Sequence, residues 1–105
     1  MNFLADILIP YCQESEYKLF EYTGRNFAKD CIGIEIPSGY VFKMISELIS
    51  QVNGFSDLEQ DDYDILFGEL ADFVNDVETD SFGKDSHVVY NRNWKWVDVE
   101  DILKG

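Results

Sequence analysis

The stretch SDLEQDDYDILFGELADFVNDV, residues 56–77, decides the fold. Tyr63, Leu66, Phe67, Leu70, Phe73, Val74 and Val77 recur every three or four residues, the spacing that places side chains on one face of an α-helix. At about 100° per residue, Asp61, Asp64, Asp72 and Asp76 fall on the opposite side, with Ile65 the apolar residue among them. Ser56-Asp57-Leu58-Glu59 has the form of a capping box, in which the Ser hydroxyl and Glu carboxylate take exposed first-turn amides. Asp57 and Glu59 also suit the positive end of the helix dipole.

Upstream, Pro37 and Ser38 open a second helix that runs to about Val52. Val41, Phe42, Ile45, Leu48, Ile49 and Val52 form its expected buried stripe, and Asn53-Gly54 its stop, Gly accepting the left-handed conformation. Residues 16–23 and 31–36 alternate in the manner of two strands, around a loop from Gly24 to Asp30. A short helix over residues 2–15, capped by Asn2 and interrupted at Pro10, comes first. Downstream, a turn from Thr79 to Asp85 leads to His87–Tyr90 and Trp94–Val97. These read as a hairpin about Asn91-Arg92-Asn93, followed by a last helical turn from Asp98 to Leu103. The expected class is α+β: a small antiparallel sheet of two hairpins with helices packed on one face, in a single domain over residues 1–105.

The composition agrees. The chain has 105 residues, 46% of them hydrophobic, with eight Phe, six Tyr and two Trp; that supplies one real core and is too little chain for two. The longest early apolar stretch, Phe3 to Ile9, is far shorter than the roughly 20 residues a membrane span needs, and no base precedes it as in a secretory signal. A cytoplasmic protein that does not engage a membrane is expected, with Cys12 and Cys31 as buried free thiols.

Charge is the unusual feature. Twenty-one acids against eight bases give a net charge of −13. Residues 57–80 hold ten of those acids and no Lys or Arg. A direct role on nucleic acid needs a basic footprint and is not expected; a basic protein surface is the natural complement.

Catalytic and cofactor signatures fail one by one. A calcium loop starting at Asp57 would place Asp62 where Gly is required and Gly68 where Glu is required, so no metal site is assigned. His87 is the single histidine, too little for a triad or a histidine-rich metal centre, and reads as a rim or core residue. Gly24 and Gly33 lie in no phosphate-cradling pattern. Neither catalytic residues nor a cofactor are expected.

An acid run is often only a solvated face that serves solubility. Here it carries a cost, because like charges at Asp57/Asp61 and Asp72/Asp76 each destabilise a helix by about 0.2–0.5 kcal/mol. That cost favours a working surface, with Asp57, Asp61, Asp62, Asp64, Glu69, Asp72 and Asp76 as partner-binding carboxylates and Ile65 as an apolar anchor. Trp94 and Trp96, two apart on an expected strand, are further anchors if exposed.

In size, acidity and α+β layout the chain resembles small phage-encoded inhibitors of bacterial defence, the anti-CRISPR proteins and anti-restriction DNA mimics. Gly24-Arg25-Asn26-Phe27 followed by Cys31, and Thr79-Asp80-Ser81-Phe82-Gly83 (with Phe82 where Met is expected), are similar to pieces of small phage proteins of unassigned function. Together they cover roughly a tenth of the chain. The resemblance implies binding to a nuclease or surveillance complex and supplies no catalytic residue. An Arg25–Asp80 ion pair would explain both pieces structurally. The leading expectation is therefore an inhibitor that occludes a basic nucleic-acid-binding surface. Its rivals are an immunity protein against a toxin nuclease, a small metal-dependent enzyme, and a housekeeping domain whose acidity serves solubility.

Overall fold

The computed structural model describes residues 2–24, 30–55 and 57–104. A π-helical turn, Leu4–Leu8, leads into α1 (Ile9–Glu14). Then come β1 (Lys18–Tyr22), β2 (Cys31–Pro37), α2 (Val41–Asn53), α3 (Gln60–Asn75), β3 (Val77–Ser81), β4 (Ser86–Lys95) and α4 (Trp96–Lys104). The sheet is antiparallel throughout, in the order β1-β2-β4-β3. The α+β class and the four-stranded antiparallel sheet are thus as the sequence pattern implies. No helix among the described residues is long and apolar enough to cross a membrane.

Alternation sets the two faces of the sheet. Ile32, Ile34 and Ile36 of β2 and Val89 of β4 point into the main core, against Phe3, Ile7 and Leu8, Met44 and Leu48 of α2, and Leu66, Leu70 and Phe73 of α3. Cys31, Val88 and Tyr90 point the other way into a small second cluster, roofed by Phe20 and Tyr22 from the edge strand β1. Gly33 makes that roof possible: a Cβ there would lie 2.7 Å from Tyr22 Cβ and 3.0 Å from Val88 Cγ2. Cys12 and Cys31 are both free and buried, and burial pushes the Cys12 thiol up to about 12.

Several expected boundaries move, each for a local reason. The first helix opens as a π-turn because Ile9 donates to the Leu4 carbonyl and Pro10 has no N–H to continue the normal ladder. Asn2 caps it as expected, its Oδ1 accepting from Leu4 N–H at 2.9 Å. Ser38 does not cap α2, which starts after Tyr40; its hydroxyl meets His87 Nδ1 at 2.9 Å. Gly54 ends α2 in a right-handed conformation, φ −79°. The core side of α2 is Met44, Leu48 and Val52, while Phe42, expected in the buried stripe, is 82% exposed.

The capping box falls partly on Ser56, outside the described residues. The acidic helix begins later than that box implies, with Glu59 as its N-cap, and Asp61 and Asp62 occupy the first turn. It also ends sooner: Val77 belongs to β3, not to the helical stripe.

The hairpin expected inside residues 87–97 does not form. Ser86–Lys95 is one strand, and Asn91-Arg92-Asn93 makes a bulge rather than a reversal: between the Gly33–Tyr90 and Cys31–Lys95 pairs, β2 advances two residues and β4 five. The reversal comes earlier, between β3 and β4, where Gly83 takes φ 86°. Trp96, expected on a strand beside Trp94, opens α4 instead.

Candidate functional site

On α3 the buried residues Leu66, Leu70 and Phe73 fix which way the rest of the helix faces. Asp61, Asp62, Asp64, Ile65 and Asp72 are exposed, Ile65 at 52%. Asp61, Ile65 and Asp72 fall within about 40° of one another around the helix axis, with Asp64 about 60° to one side. Asp61 and Asp72 thus share one outward strip of α3, with Ile65 set in line between them. Asp57 is exposed too, but in the turn before the helix, so its supposed i,i+4 repulsion with Asp61 does not act within α3.

Among the described residues, this ridge forms no ion pair. Arg92–Glu78, at 2.7 Å, and Lys104–Glu100, at 2.9 Å, are the salt bridges the described residues make with each other. The one side-chain bond on the ridge is local: Gln60 donates to Asp64 Oδ1 at 2.9 Å, on the surface. No base stands in the last turn of α3, so Asp72 and the C-cap Asp76 sit unneutralised at the negative end of the helix dipole.

Two expected site residues are engaged by other parts of the chain. Glu69 is half-buried and its Oε2 accepts from Phe3 N–H at 2.6 Å, which satisfies an amide at the start of the first helix. Asp76 accepts from Asn93 Nδ2 at 3.0 Å. Beyond α3, Glu78 is taken by Arg92, and Asp80 accepts from the Tyr22 hydroxyl, which reaches it from the far edge strand. Burial first, and then that acceptor, push the Tyr22 phenol up to about 12. The Arg25 half of the proposed Arg25–Asp80 pair, like Asn26 and Phe27 of the first resembling piece, lies outside the described residues.

The bulge residues explain this division. Asn91 is fully buried and donates to the Asp72 and Phe73 carbonyls at 3.2 and 2.9 Å, while its own Oδ1 accepts from Asn93 N–H at 2.9 Å. It caps carbonyls that a helix C-terminus leaves without partners. Arg92 and Asn93 then meet Glu78 and Asp76. Three consecutive residues thereby hold the C-terminal end of α3 and quiet the acids that follow it.

An open cleft of about 550 Å³ borders the ridge on the side of α4, lined by Glu69, Asn93, Trp94, Asp98 and Asp101 among others. The sequence reading missed the α4 acids here, because it placed residues 94–97 on a strand. Trp94 is half-buried and packs edge-on against Phe3 and Phe73 at 5.7 and 5.5 Å, so its main work is in the core. Trp96 is half-buried against the same core.

No three His, Cys, Asp or Glu side chains among the described residues converge as a metal-ligand group. Comparison with known proteins gave no matching family model, no matching curated protein and no matching solved structure.

Proposed function

We propose that this chain is a non-enzymatic inhibitor that docks the α3 ridge onto a basic, nucleic-acid-binding surface, as a bacterial defence nuclease or surveillance complex presents. In this reading Asp57, Asp61, Asp62, Asp64 and Asp72 occupy positions that phosphates would take and meet Arg and Lys of the target. Ile65 supplies an apolar contact between them. Glu69 and Asp76 keep the ridge in place.

One observation carries the reading. The outward carboxylates of α3 have no cationic partner among the described residues, although Arg92 and Lys104 neutralise acids elsewhere. A helix that serves only its own fold gains from interleaved Lys. Fields of one sign also steer an oppositely charged partner and raise association rates by about 10- to 1,000-fold at low salt.

The test is the triple variant Asp61→Lys, Asp64→Lys, Asp72→Lys. All three side chains are exposed, so circular dichroism and the unfolding midpoint should be retained. In affinity capture from a bacterial lysate at low salt, the native chain should retain a basic protein that high salt releases and the variant fails to hold. Capture of the same protein by both chains would reject the reading.

A further inference from the structure

A second feature beside the ridge is only partly used by the fold, Ile45 and Tyr63 packing against the core while their neighbours turn outward. Phe42 is 82% exposed, far beyond what a Phe on a core-packed helix requires, and Ile49 and Phe67 are exposed at 38% and 36%. These are not scattered. On α2, Phe42, Ile45 and Ile49 recur at i, i+3 and i+7 and form a stripe about a quarter-turn away from Met44, Leu48 and Val52. On α3, Tyr63 and Phe67 stack at 5.0 Å and are turned by a similar angle from its core side. The Tyr63 hydroxyl donates to Asn53 Oδ1 at 2.9 Å, which joins the first turn of α3 to the C-terminal end of α2 and brings the Tyr63 end of one stripe near the Ile49 end of the other.

We infer that this α2–α3 seam receives an amphipathic helix of the partner, one whose apolar stripe is edged by Lys or Arg. Charge selects that occupant. The α3 rim of the seam is the acid ridge, beginning with Asp64 next to Phe67; the facing rim of α2 carries the uncharged Ser46 and Ser50. The base of α2, Lys43, lies about 20° from Ser50 on that rim and is drawn back over the Tyr40 ring at 4.9 Å. A second copy of this chain is a poor occupant, because it would bring another net charge of −13 against the same ridge. Helices laid in apolar grooves are read by anchors at i, i+3, i+4 and i+7, and the Phe42–Ile49 stripe spans about 10 Å, two turns of such a ligand.

This inference rests on the proposed binding to a basic partner and adds the apolar half of the recognition. The probe is a synthetic peptide of about four helical turns with Leu and Lys at helical spacing. It is compared with a scrambled peptide of equal charge and with a Leu/Glu counterpart, by isothermal titration calorimetry. The double variant Phe42→Ala, Ile49→Ala should keep the native unfolding midpoint within error and bind the Leu/Lys helix about 10-fold more weakly, a typical loss for one or two truncated anchors. The scrambled peptide should bind the native chain as weakly, and the Leu/Glu peptide should not bind.

Equal affinity for the scrambled peptide, or no effect of the double variant, overturns the seam and leaves the charged ridge standing. Binding lost in the double variant but retained in the Asp61→Lys, Asp64→Lys, Asp72→Lys chain rejects the ridge as the partner site instead. Self-association of the native chain in light scattering, abolished by the double variant, overturns the inference in favour of a second copy.

Discussion

The exposed acids Asp61, Asp62, Asp64 and Asp72 and the later acids Asp76, Glu78 and Asp80 belong to one base-free run, yet the fold treats them oppositely. In the second group Asp76, Glu78 and Asp80 are met by Asn93, Arg92 and Tyr22, two of them from the bulge of β4. In the first group Asp61, Asp62 and Asp72 turn to solvent with no such partner among the described residues, and Asp64 meets only Gln60. The difference teaches that acid density does not by itself define a site. Acids that the chain answers are part of its architecture, whereas acids left unanswered are available to something outside it.

The comparison breaks most visibly at Asn91. Asn91→Asp keeps the shape but turns a buried carboxylate toward the Asp72 and Phe73 carbonyls where an amide donated before. Leaving a charge buried without a partner costs several kcal/mol, so urea unfolding should show a loss of about 3 kcal/mol or more. A loss below about 1 kcal/mol would mean that the clamp on α3 does not depend on that amide.

Tyr22→Phe removes one answered acid from its donor and should cost about 1.5–3 kcal/mol at neutral pH, the usual worth of a hydrogen bond to a charged group. The effect has a pH signature. The phenol is raised from 10.0 in the unfolded chain to about 12 in the folded one, so its contribution is fully present below about pH 10 and is lost as pH rises through about 12. The stability gap between native and Tyr22→Phe chains should be constant up to about pH 10 and then narrow. A gap that widens with pH would put the Tyr22–Asp80 contact in doubt.

Much of this was legible in the sequence. The stripe of Leu66, Leu70 and Phe73 announced α3, and with it the outward direction of Asp61, Ile65 and Asp72, because a helix has one period and one core side. Alternation likewise marked Ile32, Ile34 and Ile36 as the core face of β2. What the sequence hid was tertiary. Asn91-Arg92-Asn93 has turn chemistry, and a bulge uses the same residues as a reversal; only the neighbours β2 and β3 decide between them. The engagement of Glu69 with Phe3 N–H joins positions 66 residues apart, which no local pattern encodes. Phe42 read as core because it is apolar and near the right spacing, but the start of α2 at Val41 put Met44 in the core and Phe42 outside.

The most direct test of the central claim, that the fold does not use the exposed carboxylates of α3, is the urea midpoint of the neutralised chain Asp61→Asn, Asp64→Asn, Asp72→Asn. Losing the favourable dipole contact of Asp61 at the helix N-terminus and relieving the unfavourable one of Asp72 at the C-terminus are each about 0.3–1 kcal/mol and opposite in sign. The account predicts a stability within about 0.5 kcal/mol of native. A fall of about 2 kcal/mol or more would show those acids serving the fold itself and would contradict it.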